Sequence, residues 1–258
     1  MKHFVLLTAA AAILFGQSSF AQNRVKNLYT ESEALKVEQV VSTDQTVQLN
    51  RYFFAGYNTL CLPMSVSGAE LTKAVPGMKV ERLEAIRQEG STLRLYFVDC
   101  TEQGIEAGMP YLVFSPTAQY LRIKNSEANG FSTDTKTVRM ADNQGNQVAF
   151  SSSWNTRMQD GLYGIPAQQN VEVLESVLVR TTGNQAFRPT RCGFSWENQS
   201  PTATRIEIKH SCNAEVTAIQ SVKVGEAEGD VYDLQGHRLN SKPAKGVYIQ
   251  NGRKVTVK

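Results

Sequence analysis

Side chains suited to metal binding are few in this sequence. Its cysteines are Cys61, Cys100, Cys192 and Cys212, and after residue 21 its histidines are His210 and His237. A structural zinc site takes four cysteine or histidine ligands, usually in close pairs such as C-x-x-C, and the sequence contains no such pair. We therefore predict no metal site and no cofactor.

The usual signatures of hydrolytic chemistry are also missing. The sequence contains no G-x-S-x-G motif, no H-E-x-x-H motif and no phosphate-binding glycine loop. His210 has no nucleophile motif nearby and His237 lies in a turn of the tail, so both are predicted to be solvated surface residues. Paired carboxylates that cleave glycosidic bonds leave no motif, which keeps a glycosidase open. We predict no catalytic residues and a protein that is not an enzyme.

The large aromatic residues are better suited to binding. Trp154 follows three serines in a loop-like segment, and Trp196 shares a strand face with Phe194. Indole rings stack on sugars when they are exposed and fill the core when they are not. Core packing is therefore the default expectation for Trp154 and Trp196, and both are candidates for a glycan platform if they are exposed.

The first 21 residues have the three parts of a secretory signal peptide. Lys2 provides a basic start, an apolar run covers Phe4 to Phe15, and a polar stretch ends at Ala21. The apolar run is too short to cross a bilayer, which requires about twenty residues. Small residues at Ser19 and Ala21 fit a signal peptidase. We predict cleavage after Ala21 and a secreted or cell-surface protein, with the periplasm as the alternative location and no transmembrane segment in the mature chain.

The charge of the chain disfavours nucleic acid as a partner. The formal net charge falls from +3 to +2 without residues 1–21, because these contain one lysine and no acidic residue. Basic residues are scattered along the sequence, so the basic patch that phosphate binding requires is missing. We predict no nucleic acid partner.

Export also sets the expected state of the cysteines, because disulfides persist outside the cytoplasm. Four cysteines allow three pairings. Neighbours in the chain are the favoured partners, Cys61 with Cys100 and Cys192 with Cys212, and each bridge is expected to add about 2 to 4 kcal/mol. The alternative is that some are buried free thiols packed as small apolar groups.

Short alternating segments dominate the chain after residue 45. The clearest places Leu93, Leu95 and Phe97 on one strand face. Gly, Asn, Asp and Pro separate these segments at short intervals, a spacing typical of β-sandwiches. Strands are predicted at Thr46–Leu49, Thr59–Leu62, Thr92–Asp99, Tyr111–Phe114, Leu121–Lys124, Gln147–Phe150, Val171–Val179, Arg205–His210 and Ser221–Val224.

Two segments have helical features. Ser67 and Glu70 have the spacing of a capping box that begins a helix, and Pro76-Gly77 ends it. The segment from Glu31 to Val40 fits either a helix or a first strand.

We predict an all-β fold, a β-sandwich with a small C-terminal β module. The predicted units are the signal peptide at 1–21, an N-terminal segment at 22–45, the sandwich body at 46–224 and the C-terminal module at 225–258. Two sandwich halves are the alternative arrangement of the body, because the polar segment 125–135 contains Asn129-Gly130.

The C-terminal tail is predicted to contain three short strands. Val231–Leu234, Val247–Gln250 and Lys254–Lys258 alternate with the strand period, and Asn251-Gly252 is a strong signal for a two-residue hairpin. A folded strand can be recognised through its edge by strand addition. The alternative is that these strands complete the sandwich of the body.

The tail also carries a combination of short motifs: Y-D-L-x-G followed by basic residues, G-x-Y-I and a basic last strand. The residues concerned are Tyr232, Asp233, Leu234, Gly236, Arg238, Gly246, Tyr248, Ile249 and Lys254. In this combination the tail resembles the C-terminal sorting domain of the type IX secretion system of Gram-negative bacteria. The resemblance implies passage across the outer membrane, with secretion or surface-attachment machinery as a partner. In many members the tail is removed when the protein is attached to surface polysaccharide.

Three upstream segments resemble parts of secreted β-rich proteins with this type of tail. They are Tyr57–Pro63, Gly108–Val113 and Phe187–Cys192. We therefore expect an exported, non-enzymatic protein with a structural, adhesive or ligand-binding body, whose partner is a glycan or another surface protein. The alternative is a secreted protein that binds or cleaves glycans.

Overall fold

The computed structural model describes residues 25–32, 34–158, 160–166, 178–182, 186–211, 221–224, 231–232, 238–239, 246–250 and 253–257. The predicted signal peptide, Cys212, His237 and the tail residues Asp233, Leu234 and Gly236 lie outside this part of the chain, as does most of the predicted strand Val171–Val179.

Most of the described chain is β-strand, which confirms the all-β prediction. The helices are α1 (Val37–Val41), α2 (Gly68–Ala74) and the 3-10 helix η1 (Asn125–Glu127). The strands of the body are β1 (Lys26–Tyr29), β2 (Val47–Phe53), β3 (Gly56–Leu60), β4 (Met64–Ser65), β5 (Lys79–Glu89), β6 (Thr92–Asp99), β7 (Tyr111–Ser115), β8 (Gln119–Lys124), β9 (Gly130–Phe131), β10 (Val138–Asp142), β11 (Gln147–Ser151), β12 (Arg157–Met158), β13 (Tyr163–Gly164), β14 (Val179–Arg180), β15 (Ala186–Phe187), β16 (Gly193–Asn198), β17 (Arg205–Ser211) and β18 (Ser221–Val224). The strands of the tail are β19 (Val231–Tyr232), β20 (Arg238–Leu239), β21 (Gly246–Gln250) and β22 (Arg253–Val257).

Helix α2 begins where the capping spacing predicts. The Ser67 hydroxyl accepts a hydrogen bond from the Glu70 backbone N–H at 3.2 Å, which satisfies a donor that the first helical turn leaves unpaired. The segment left open between helix and strand contains the short helix α1, which buries Val37 and Val40.

The two largest sheets of the described chain pack against each other. Their strand orders are β17-β6-β5-β7-β3 and β14-β13-β16-β11-β10-β18. Phe97 from the first sheet meets the rings of Phe150 and Phe194 from the second, with centroids 5.8 and 6.0 Å away. The strand face predicted to carry Leu93, Leu95 and Phe97 thus packs, at Phe97, into an aromatic core between two sheets, as in a sandwich. A smaller sheet, β1-β2-β8, carries the N-terminal strand.

The five-stranded sheet is strongly coiled. Its edge strands are β3 and β17, and in a flat sheet they would be about 19 Å apart, because neighbouring strands are about 4.8 Å apart. The ring of Tyr57 on β3 nevertheless stacks on the ring of His210 on β17, with centroids 4.2 Å apart. The two edges of the sheet therefore approach each other.

Strands from both sides of the segment 125–135 belong to one sheet. Strand β17 runs parallel to β6, with Arg205 opposite Thr92. The segment itself contributes β9, which pairs with β4, and Asn125 accepts a hydrogen bond from the Val47 backbone N–H at 3.0 Å. These contacts connect the parts of the body that precede and follow residues 125–135, where the alternative of two sandwich halves would divide it.

The tail strands pair with one another in a four-stranded sheet of order β20-β19-β21-β22. Strands β21 and β22 pair in antiparallel fashion with Gln250 opposite Arg253, which leaves two residues for the connection, as the hairpin signal predicts. The preceding strand β18 pairs with β10 of the body.

Candidate functional site

The three described cysteines, Cys61, Cys100 and Cys192, are buried free thiols. Neither predicted bridge is therefore present, because Cys61 and Cys100 are both unbonded and so is Cys192. The alternative of thiols packed as small apolar groups describes all three, since each belongs to the main core cluster. Cys61 and Cys192 lie close to Thr59, whose hydroxyl accepts from the Cys192 backbone N–H at 2.8 Å.

The buried thiols make stability depend on alkaline pH. Burial raises the pKa of Cys192 to about 12 from an ordinary value of 9.0. The neutral buried thiol therefore contributes fully to the free energy of unfolding below pH 9, and this contribution is lost as the pH rises towards 12. We expect the free energy of unfolding of the reduced protein to fall between pH 9 and 10 by about 1 kcal/mol more than that of Cys192→Ala. Urea denaturation at both pH values measures this, and parallel profiles would contradict it.

Trp154 is wrong as a glycan platform, because its indole is buried in the core. The side chain is 9% exposed, and its Nε1–H donates to the Thr133 carbonyl at 2.7 Å. Trp196 is half-buried and packs against the same core, and its Nε1–H donates to the Asn146 side-chain oxygen at 3.3 Å. Core packing, the default expectation for both residues, is confirmed for Trp154 and for the covered part of Trp196.

His210 is an exposed residue, as predicted, and its ring has two partners. Its Nδ1 lies 2.6 Å from Oε2 of the buried Glu81, and its ring is stacked on Tyr57. Burial, followed by the charges of Glu81 and Asp99, raises the pKa of Tyr57 to about 12. These contacts fasten edge strand β17 to β3 and β5, and they give His210 a structural role.

The described motif residues of the tail share one region of its sheet. The register aligns Arg238, Tyr232, Ile249 and Lys254 in one row across the four strands, from β20 to β22. Residues from the Y-D-L motif, the G-x-Y-I motif and the basic last strand are thereby brought side by side. Gly246 and Tyr248 lie on the same strand as Ile249.

A buried arginine on β2 is the most unusual feature of the body. Val47, Leu49 and Phe53 face the core, and Arg51 occupies the same face with 1% exposure. One of its terminal nitrogens donates to the Tyr52 carbonyl and the other to the Thr59 carbonyl at 3.2 Å. Its guanidinium lies 5.2 Å from the Phe53 ring centroid, and its buried Nε has no partner in the described structure.

Three arginines lie near Glu31 at this position. Arg51 pairs with Glu31, whose Oε1 is 3.8 Å from Nη1, and Arg188 donates to the Glu31 backbone carbonyl. The half-buried guanidinium of Arg191 forms no hydrogen bond or ion pair with any residue that the structure describes. Arg51, Arg188 and Arg191 with Glu31 have a net formal charge of +2, so the site lacks negative charge.

Burial lowers the pKa of both Arg51 and Arg191, and a positive neighbour adds to each shift. Burial, followed by the charge of Arg191, lowers the pKa of Arg51 to about 9, which still leaves it charged at neutral pH. Burial also lowers the pKa of Arg191, while Glu31 opposes the shift and Arg188 adds to it. An added anion would relieve this repulsion.

Two adjoining cavities are lined in part by Arg51 or Arg191. The smaller, about 20 Å³, is lined in part by Arg51 and Thr59, and the larger, about 270 Å³, in part by Val179 and Ala186. Both are lined by Ile165, Pro166, Phe187 and Arg191. We call these adjoining cavities, with Arg51 at the narrow end and Arg191 between them, the arginine pocket.

The residue before Arg191 adopts a rare backbone conformation. Thr190 has a φ of 66° and is fully buried, and a β-branched residue avoids this region. Its carbonyl accepts from the Cys61 backbone N–H at 2.9 Å, and its buried hydroxyl has no partner among the described residues. The strain is of the kind that surrounding structure maintains at binding sites.

Sequence reasoning did not identify the arginine pocket. A local signal exists, because Arg51 stands in the apolar register set by Val47, Leu49 and Phe53, where a charge is costly without a partner. Arg191 lies within Phe187–Cys192, which was noted only as a resemblance. Its approach to Arg51, 140 positions earlier in the sequence, depends on the fold.

No family model, curated protein or solved structure shows significant similarity to this chain. The resemblance of the tail therefore stays a prediction from its motifs, and the pocket is interpreted from its own chemistry. In the described ranges we find no helix long and apolar enough to cross a membrane. The same residues contain no group of three or more His, Cys, Asp or Glu side chains placed to hold a metal ion.

Proposed function

We propose that this protein is an exported, non-enzymatic binding protein whose β-sandwich body holds a ligand and whose tail directs it to the cell surface or the medium. The observation that carries the binding role is the arginine pocket. There, one residue with 1% exposure bears a positive charge beside a cavity, and Glu31 is the only carboxylate paired with it in the described structure.

The physical reason is the cost of such a charge. A buried charge destabilises a fold unless it is closely paired, and replacing it with an apolar residue often stabilises the protein. Arg51 has a distant pair at 3.8 Å and an unpartnered Nε. A structural or adhesive sandwich has no need of this arrangement, whereas a protein that binds an anion does.

The role of the tail is supported by the row that its motifs form. Arg238, Tyr232, Ile249 and Lys254 lie in register across the tail sheet, so a receptor could recognise all of them on one small folded unit. The predicted signal peptide at 1–21 supplies the first step of export.

Removal of the tail tests its proposed role in sorting. We expect the full chain to reach the surface or medium of a Gram-negative host with type IX secretion, and a variant without residues 231–258 to stay in the periplasm. A third variant with the same 28 residues in scrambled order controls for length and composition. Fractionation and immunoblotting measure the distribution, and an identical distribution of all three proteins would remove the sorting role.

A further inference from the structure

The narrow end of the arginine pocket selects for charge. Arg51 lines a space of about 20 Å³, enough for about one oxygen-sized group, and Arg191 borders the same space. None of the described residues that line either cavity is acidic. An anion entering here meets two guanidinium groups and no competing carboxylate in the lining.

The wide end of the pocket selects for apolar surface. Ile165, Pro166, Val179, Ala186 and Phe187 contribute to a lining of about 270 Å³ in volume, near the lower limit of small-molecule sites. Phe187 is held in place from behind, because its ring lies against Gly164, where an added Cβ would be 2.6 Å from Cζ. The wide end of the arginine pocket is therefore preformed for a compact apolar group.

We propose that the arginine pocket binds a small amphipathic carboxylate, a molecule with one carboxylate attached to a compact apolar group. Arg191 holds the carboxylate, because its guanidinium has no other partner in the described structure and its planar fork matches two oxygens. Arg51 adds its charge from the narrow end, and the apolar group lies against Phe187. This inference rests on the proposed function, since it names the ligand class of the same pocket.

Isothermal titration of the chain from residue 22 to 258 tests the ligand class with four probes. Benzoate and hexanoate have both required groups, acetate lacks the apolar group, and benzyl alcohol lacks the charge. We expect benzoate and hexanoate to bind saturably at one site, about 10-fold or more tighter than either control, because burial of a small ring or chain contributes at least that factor. Higher salt should weaken their binding by screening the ion pair.

Variants of Arg191 test the position. Arg191→Gln is expected to weaken benzoate binding by about 10- to 100-fold, the contribution of a charge-assisted hydrogen bond. Arg191→Lys, which keeps the charge without the fork, should fall between that variant and the unaltered protein. Arg205→Gln is the matched control, because Arg205 is an exposed residue paired with Glu207 on β17. Circular dichroism and urea midpoints check that each variant is folded.

Two outcomes would overturn the inference. One is the absence of saturable binding of both carboxylates to the folded protein, and the other is equal affinity of Arg191→Gln and Arg205→Gln. The fractionation experiment is independent of these results. Correct sorting without carboxylate binding would refute the ligand class alone, whereas carboxylate binding by a protein that stays in the cell would refute the proposed address alone.

Discussion

Replacement of Glu31 by glutamine is expected to lower the free energy of unfolding by about 2 to 3 kcal/mol. Breaking a buried ion pair typically costs about 3 to 5 kcal/mol, and the value here is reduced because Glu31 is 33% exposed and lies 3.8 Å from Arg51. The loss arises because Arg51, 1% exposed, then keeps its charge beside Arg191 without a carboxylate. Urea denaturation at low ionic strength measures the change.

Glu70→Gln is a matched control for this prediction. Glu70 lies 3.8 Å from Lys73 and is 34% exposed, so that the carboxylate and the distance match those of Glu31, but Lys73 is 76% exposed. A surface pair of this kind contributes less than about 1 kcal/mol. Equal losses in the two variants would show that the burial of Arg51 does not matter to its pairing.

Gly104→Ala is expected to be the most destabilising of these changes, lowering the free energy of unfolding by about 3 to 5 kcal/mol through backbone strain and overpacking together. Gly104 has a φ of +79°, and an added Cβ would lie 2.2 Å from the Val66 carbonyl oxygen. Its N–H also bonds to the Cys100 carbonyl at 3.1 Å, which fixes the turn against the start of α2. The atoms that an added Cβ would meet belong to the backbone of Val66 to Gly68, so they cannot move aside as the end of a flexible side chain would.

Gly90→Ala separates the two contributions. Gly90 also has a positive φ, +61°, but nothing lies within 4 Å of an added Cβ. This variant should lose only about 1 to 2 kcal/mol, the cost of a left-handed conformation for a residue with a side chain. Urea denaturation of both variants gives the difference, and a loss at Gly104 no greater than that at Gly90 would rule out the steric clash.

Local patterns predicted some strands and missed others, including β5 (Lys79–Glu89), the longest strand of the described chain. The alternation of Leu93, Leu95 and Phe97 predicted the bounds of β6, and the Ser67 spacing predicted the start of α2, because period and capping depend on neighbours in the chain. The hairpin between β21 and β22 was predicted from Asn251-Gly252 alone. Short strands such as β12 to β15, with two residues each, carry too little alternation to be recognised.

The errors concern contacts between distant parts of the chain. The predicted disulfides paired cysteines that are neighbours in the sequence. In the fold, Cys61 lies beside the distant segment that contains Cys192, because its backbone N–H donates to the Thr190 carbonyl, and no local pattern indicates this contact. No local pattern indicates the partners of the exposed His210 either, because Glu81 and Tyr57 come from strands more than a hundred residues earlier. The burial of Trp154 agrees with the default expectation of core packing, and only its serine-rich flank favoured exposure.

The amino-acid sequence by itself determined that this protein is built from strands, where α2 begins and that the tail ends in a hairpin, because these features depend on side chains a few positions apart. Only the tertiary structure decided that three arginines converge on Glu31 beside an apolar basin. The return of Phe187–Cys192 to β2 and β3 creates that convergence, and the free energy of a buried charge depends on which distant groups surround it.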